Sequence, residues 1–255
     1  MMRIFVLVLQ VGWRILKDYF TWMIKYAKHK ERYPIALRFY RVQSLVRYVI
    51  GKMGVVYDET VNFEDIYSDD KKKLIVCNHQ SMFDPLLFMI RAKRPLTFIS
   101  KKEVKKFPFV GKILTIIDGE FLDRENIKTQ VKTIMNAQRL VANQKYDVVI
   151  FPEGTRTKNP EEGMLPFHAG SFKIPFKANS DLVVTSIYGS FRVLKFFKYK
   201  KKKQLYVQFR VLKTFKYDEL KEMNSVVLME ESRKIMEENM SIFIQKDIDY
   251  TKSIS

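Results

Sequence analysis

Short apolar runs rich in β-branched residues alternate with segments of helical periodicity through the middle of the chain. The strongest run, 73–77, reads KLIVC and ends at Asn78, which is typical of a strand buried on both faces. Further strands are predicted at 96–100, 116–122, 146–151 and 182–188, and a hairpin at 191–197 and 205–212. Helices are predicted at 84–90, 126–144, 168–178 and 218–245. This alternation predicts an α/β fold with a mixed, largely parallel sheet flanked by helices.

The first 56 residues differ from the rest of the chain in charge. They hold 11 Lys or Arg and 2 Asp or Glu, a net charge of 11 − 2 = +9 within a chain total of +18. Arg14, Lys17 and Asp18 interrupt the apolar start, so a membrane span is not predicted, and no small-residue cleavage site marks a signal peptide. The sequence predicts a basic amphipathic helical segment at 1–56 and an α/β domain at 57–255.

Polar and apolar side chains fall on opposite faces of a helix predicted from residue 13 to residue 30. The polar face carries Arg14, Lys17, Asp18, Thr21, Lys25 and Lys28, and the apolar face carries Trp13, Leu16, Phe20, Met23, Ile24 and Ala27. This arrangement favours docking, peripheral or monotopic, on an anionic membrane surface. The alternative is helices that pack on the domain with a solvated basic face.

The excess of 46 Lys or Arg over 28 Asp or Glu implies an anionic partner: nucleic acid, a membrane surface or a phosphorylated substrate. The Lys-rich segment 198–203 suggests nucleic-acid binding, but no nucleic-acid motif accompanies it and a solvated turn is favoured. The single cysteine, Cys77, excludes an intramolecular disulfide and a cysteine-based zinc site. Its place in an apolar strand favours a buried packing residue over a nucleophile.

A histidine and an aspartate follow the strand predicted at 73–77. His79 and Asp84 would not face each other in a straight helix, but a turn at 79–83 lets the carboxylate reach back to the imidazole. A carboxylate on one ring nitrogen fixes the tautomer and leaves the other nitrogen as a base. The alternative is that Asp84 only caps the helix, with Pro85 as its first residue, and that His79 is an ordinary loop residue.

Candidate anion-binding residues follow the neighbouring predicted strands. The segment 151–157 reads FPEGTRT, in which the Gly backbone and the Thr and Arg side chains match a phosphate or a developing oxyanion. Lys101 and Arg124 also lie near strand ends, where cations form phosphate clamps. Taken alone, a polar turn and a solvated charge run explain these segments better.

Together, NHxSxxD at 78–84, KKE with FPxxG and DR at 101–124, and FPEGTRT at 151–157 resemble the glycerolipid acyltransferase family. Within it, they resemble most the 1-acyl-sn-glycerol-3-phosphate acyltransferases. The resemblance implies transfer of a fatty acyl group from acyl-CoA or acyl carrier protein to the sn-2 hydroxyl of lysophosphatidic acid, which forms phosphatidic acid. It implies His79 as general base and Asp84 as its orienting partner, and a substrate-binding set of Lys101, Arg124, Glu153, Gly154, Thr155 and Arg156.

The resemblance further implies a membrane-associated enzyme at the cytoplasmic face, with no metal, no other cofactor and no nucleic-acid partner. The sequence departs from the family at Val184, where a proline is usual, and at Pro175, which falls in a predicted helix. Glycerol 3-phosphate or another lysophospholipid stays open as the acceptor. A non-enzymatic nucleic-acid-binding protein is the alternative from another class.

Overall fold

A computed structural model describes residues 2–58, 63–195 and 205–253. The strands are β1 Val56–Tyr57, β2 Leu74–Cys77, β3 Leu96–Lys101, β4 Glu120–Leu122, β5 Asp147–Ile150, β6 Leu182–Tyr188 and β7 Tyr206–Phe215. The α-helices are α1 Met2–Asp18, α2 Ile24–Lys28, α3 Ile35–Met53, α4 Asp84–Arg91, α5 Pro108–Ile116, α6 Ile127–Ala142, α7 Ile174–Ala178, α8 Tyr217–Leu220 and α9 Ser225–Ser253. A π-helical stretch, Tyr19–Met23, joins α1 to α2.

The strands form one sheet in the order β1-β7-β6-β2-β5-β3-β4. Strands β6, β2, β5, β3 and β4 are parallel to one another, and β7 pairs with β6 in the antiparallel sense. The predicted α/β class with a mixed, largely parallel sheet is therefore confirmed. Because parallel strands end at the same edge, the segments after β2, β3, β4 and β5 lie along one side of the sheet.

Each face of the sheet is covered by its own apolar core. Ile75 and Cys77 face a cluster that contains Met23 and Phe39 of the N-terminal segment. Leu74 and Val76 face a second cluster that contains Ala137 and Val141 of α6, Phe172, and Met236 of α9. Burial on both faces explains why the central strands are continuously apolar in sequence.

The N-terminal segment shares a core with the sheet. Met23, expected on an exposed apolar face, is fully buried, and Trp22 and Tyr26 pack beside it. The segment turns these side chains inward while Trp13 and Phe20 stay exposed. The division at residues 56 and 57 stays a prediction. Within the described residues, no helix is both long enough and apolar enough to cross a bilayer.

Several predicted elements have different bounds. Residues 190–195 form a 3₁₀ helix rather than the first strand of a hairpin, and β7 pairs with β6. The Lys-rich turn Lys198–Lys203 lies outside the described residues. The strand predicted at 116–122 is only Glu120–Leu122, because α5 continues to Ile116. Pro175 sits in the first turn of α7, where its missing N–H costs no helical hydrogen bond.

Asp118 joins the N-terminal segment to the sheet. Its carboxylate accepts hydrogen bonds from the guanidinium of Arg38 at 2.8 Å and the hydroxyl of Tyr146 at 2.8 Å, and it pairs with Lys30 at 2.6 Å. Arg38 also donates to the carbonyl of Ile116. Burial opposes ionisation of Asp118, but the hydrogen bonds outweigh it and hold the pKa of Asp118 below its ordinary value.

We expect Asp118→Asn to destabilise the fold by about 3 kcal/mol at pH 7, because the buried Arg38 loses its counter-charge. Asn keeps the left-handed backbone that this position adopts, with φ 54°. A carboxyl whose pKa is lowered on folding stabilises above its unfolded pKa, so the deficit should be full above about pH 5 and shrink below about pH 4. Urea unfolding of wild type and variant, once above pH 5 and once below pH 4, measures this deficit. Asp218→Asn, in an exposed pair with Lys221, should leave the midpoint unchanged.

Candidate active site

Four neighbouring strands deliver the predicted site residues to one edge of the sheet. His79 lies two residues after β2, and Glu153 to Arg156 follow β5. Lys101 is the last residue of β3, and Arg124 lies two residues after β4. Because β2, β5, β3 and β4 are adjacent in that order, these residues follow one another along the edge.

His79 and Asp84 form a hydrogen-bonded pair. The Nδ1 atom of His79 lies 2.7 Å from Oδ2 of Asp84, which is fully buried. The same oxygen accepts hydrogen bonds from the backbone N–H groups of Gln80 at 2.7 Å and Ser81 at 2.8 Å. An ionised carboxylate only accepts, so Nδ1 carries the proton and Nε2 keeps a free lone pair. The arrangement suits general-base chemistry at Nε2.

Asp84 is not the N-cap of its helix, so the alternative in which it only caps α4 is wrong. It is the first residue of α4, and its carboxylate bonds backwards to the 79–81 turn. Pro85 is then the second helical residue, where the absence of an N–H is tolerated. The turn therefore brings the carboxylate to the imidazole across a separation that a straight helix would not allow.

Three contacts hold the backbone and ring of His79. The N–H of His79 donates to Oε1 of Glu153 at 2.6 Å, and its carbonyl accepts from the N–H of Thr157 at 3.0 Å. The imidazole stacks on Phe151, with ring centroids 4.2 Å apart. The turn after β2 is thus joined to the turn after β5, so the histidine has a fixed position relative to the 153–156 segment.

Glu153, predicted to bind substrate, is placed to hold backbone. Its side chain is buried, and its second oxygen accepts from the N–H of Leu165 at 2.8 Å. Burial raises the pKa of Glu153, while the hydrogen bonds from His79 and Leu165 act in the opposite direction. These contacts favour a positioning role, and substrate contact by Glu153 stays a prediction.

Three cations converge beside the 153–156 segment. Lys101 donates to the hydroxyl of Thr155 at 3.1 Å. Burial lowers the pKa of Lys101, and the charges of Arg124 and Arg156 lower it further. Arg124 and Arg156 are exposed. Cations that repel one another at an open surface form a ready site for an anion such as a phosphate.

Gly154 allows Arg124 to lie against the 153–156 segment. A Cβ at this position would collide with the guanidinium of Arg124 and lie 3.3 Å from the ring of His168. Gly154 also has φ +65°, which L side chains rarely adopt. The glycine therefore serves both the turn and the placement of the arginine.

Sequence reasoning missed several residues that shape the site. The amide of Asn78 donates to the carbonyl of Ile187 at 2.9 Å and accepts from its N–H at 2.8 Å, which joins the end of β2 to β6. Gln80 accepts from the N–H of Gly189 at 3.1 Å. Both residues flank His79 in the NHQ triplet. Their polarity directly after an apolar strand was the available signal.

The thiol next to this site is unsuited to nucleophilic catalysis. Cys77 is fully buried in β2, and burial raises its pKa well above the ordinary value, as do the charges of Asp84 and Glu153. A thiol that stays protonated is a poor nucleophile. No group of three or more His, Cys, Asp or Glu side chains that could hold a metal ion occurs in the described part of the chain.

The acyltransferase family model matches residues 58–189, which include every candidate site residue. The chain belongs to the acyltransferase family. A Mycoplasma pneumoniae protein named a probable 1-acyl-sn-glycerol-3-phosphate acyltransferase is 32% identical over 188 residues, covering 71% of this chain and 67% of that protein. A Helicobacter pylori 1-acyl-sn-glycerol-3-phosphate acyltransferase is 39% identical over 112 residues, covering 44% of this chain and 46% of that protein.

The fold is similar to that of a solved structure. The 1-acyl-sn-glycerophosphate acyltransferase of Thermotoga maritima superposes with a TM-score of 0.65 at 19% identity, over 94% of this chain and 92% of that one. Several sequence matches are shorter: those to Mycoplasma genitalium and Cocos nucifera relatives span 58% and 48% of those proteins.

Proposed function

We propose that this chain transfers a fatty acyl group from an acyl thioester to the sn-2 hydroxyl of 1-acyl-sn-glycerol 3-phosphate, giving phosphatidic acid for phospholipid synthesis. The observation that carries the proposal is the His79–Asp84 pair at 2.7 Å on the sheet edge that also carries Lys101, Arg124 and Arg156. A base on the same sheet edge as a cluster of cations suits an acceptor with both a hydroxyl and a phosphate. The names of the relatives point to the same reaction.

The chemistry follows from the tautomer of His79. Nε2 takes the proton of the acceptor hydroxyl while the oxygen attacks the thioester carbonyl carbon. The tetrahedral intermediate breaks its C–S bond, and the imidazolium returns the proton to the departing sulfur. The Asp84 carboxylate stabilises the imidazolium between these steps. A thioester is already activated, so the proposal needs no covalent enzyme intermediate and no cofactor.

In this proposal the cation cluster positions the acceptor. Lys101, Arg124 and Arg156 would bind the phosphate, with Arg124 held against Gly154 and Lys101 against Thr155. Because Glu153 joins the 153–156 segment to the backbone of His79, a phosphate bound there is fixed relative to the base. Positioning of this kind lowers the barrier by restricting the reacting groups in advance.

An exposed apolar row on the N-terminal segment supports docking on an anionic membrane. Leu9, Trp13, Leu16, Phe20 and Ile24 recur at helical spacing, and Trp13 and Phe20 are 72% and 71% exposed. Lys17, Lys25 and Lys28 are exposed on the same segment. We place this surface at the cytoplasmic face, because the cytoplasmic leaflet carries the negative surface potential that attracts basic segments.

His79→Ala should lower kcat by roughly 10²–10⁴-fold, because the general base is lost. Asp84→Asn should lose less, since the base remains with a poorly fixed ring. Turnover of palmitoyl-CoA with lysophosphatidic acid and with glycerol 3-phosphate, together with thermal unfolding, measures both effects. His29→Ala, on the N-terminal segment, is the control and should keep the wild-type rate. Wild-type kcat in a folded His79→Ala protein would contradict the mechanism.

Gly154→Ala should raise the KM for the acceptor about tenfold or more, because the new methyl group displaces Arg124, and a lost charge-assisted contact is worth about 1.5–3 kcal/mol. Gly54→Ala is the matched control. It has the same φ of +65° and open space around the new Cβ, so it incurs only the backbone strain. Steady-state kinetics with each variant separate the two effects. An unchanged acceptor KM in Gly154→Ala would remove Arg124 from the phosphate site.

Trp13→Ser with Phe20→Ser should release the protein from vesicles of phosphatidylglycerol and phosphatidylcholine, because two interfacial aromatic side chains are lost. Turnover of a dispersed short-chain acceptor should survive. Ile242→Ser with Ile248→Ser, which removes two exposed side chains from α9, is the control and should bind as wild type. If the two double variants sediment with vesicles equally, the membrane contact lies elsewhere.

A further inference from the structure

Helix α6 presents an apolar row and a basic row to solvent. Ile127, Val131 and Met135 are spaced four residues apart and are 76%, 54% and 46% exposed. Lys128, Lys132 and Arg139 are exposed beside them, and the helix contains no acidic residue. We call these six side chains the α6 surface. Exposed apolar side chains beside charges of one sign, here all positive, are typical of a surface that binds an acidic partner.

The α6 surface begins at the edge of the sheet that carries the candidate active site. Helix α6 starts three residues after Arg124, and the side chain of Gln130 donates to the carbonyl of Arg124 at 2.7 Å. Asn126 caps the helix by accepting from the N–H of Thr129. A partner on the first turns of α6 would therefore sit next to the cation cluster.

The α6 surface and the exposed N-terminal row belong to opposite layers. The inner side of α6, with Ala137 and Val141, packs in the core on one face of the sheet. The N-terminal segment packs through Trp22 and Met23 in the core on the other face. A flat bilayer in contact with the N-terminal row therefore leaves α6 available to a partner in solution.

We propose that the α6 surface docks an acidic acyl carrier protein, which delivers the acyl thioester to His79. This inference rests on the proposed acyl transfer and names its donor. The positive charge of the helix and its start beside Arg124 fit an acidic partner that reaches the candidate active site. Its place on the layer opposite the N-terminal row favours a protein in solution over the lipid surface. Complementary charge of this kind mainly speeds encounter and fixes the docking register.

The test compares two donors with one acceptor. Lys128→Glu with Lys132→Glu, and separately Val131→Ser, are assayed with palmitoyl-acyl carrier protein and with palmitoyl-CoA on a dispersed short-chain lysophosphatidic acid. The matched controls on α9 are Lys234→Glu with Lys252→Glu, which has the same change in net charge, and Val226→Ser, which is similarly exposed.

The charge variant, Lys128→Glu with Lys132→Glu, should lose about tenfold or more in kcat/KM with the carrier donor, and its rate should lose most of the salt dependence. The rate with palmitoyl-CoA should stay within about twofold, since the docking surface lies outside the catalytic groups.

Several outcomes would overturn the inference. They are an equal loss with both donors, no loss with either, or a loss of vesicle binding with both donor rates intact, which would make α6 a membrane contact. A wild-type protein that uses palmitoyl-CoA but not the carrier donor would also overturn it while leaving the proposed function standing. A wild-type protein that transfers from neither donor would instead refute the proposed function.

Discussion

One buried carboxylate oxygen organises the candidate active site of this molecule. Oδ2 of Asp84 accepts from the imidazole of His79 and from two backbone N–H groups, those of Gln80 and Ser81. A buried negative charge is tolerated only where hydrogen bonds replace its hydration. The turn after β2 supplies those bonds, so the geometry of the turn and the orientation of the histidine depend on the same atom.

The surrounding contacts extend that constraint across the sheet. Glu153 accepts a hydrogen bond from the N–H of His79. The amide of Asn78 donates to the carbonyl of Ile187 and accepts from its N–H. Strand β2 thus has a side-chain link to the turn after β5 on one side and to β6 on the other. The turn that carries His79 is held from both neighbouring strands, whereas Arg124 and Arg156 are exposed. A firmly held proposed base beside exposed cations suits the proposed acceptor, which has to present both a phosphate and a hydroxyl.

Much of this arrangement could be predicted from the sequence because it depends on local pattern. The apolar run before His79 predicts a buried strand, as observed. The five-residue step to Asp84 allows a pair only across a turn, the family resemblance implies that pair, and the structure contains it. The role of Glu153 could not be predicted, because its partner lies 74 positions away and only sheet order brings them together. The failed hairpin has a similar cause. Residues 205–212 are predicted as a strand and lie in β7, but the partner of β7 is β6 rather than the preceding segment, and local periodicity carries no information on pairing.

The central place of β2 also sets an order of events during synthesis. The strand needs Ile187 for the amide of Asn78 and Glu153 for the backbone of His79, so its surroundings are incomplete until most of the chain has left the ribosome. Such distant contacts form late because a long loop must close first. Trp13 and Phe20 emerge much earlier. A nascent chain therefore completes its proposed membrane-binding row before the turn that carries the proposed base can be held in place.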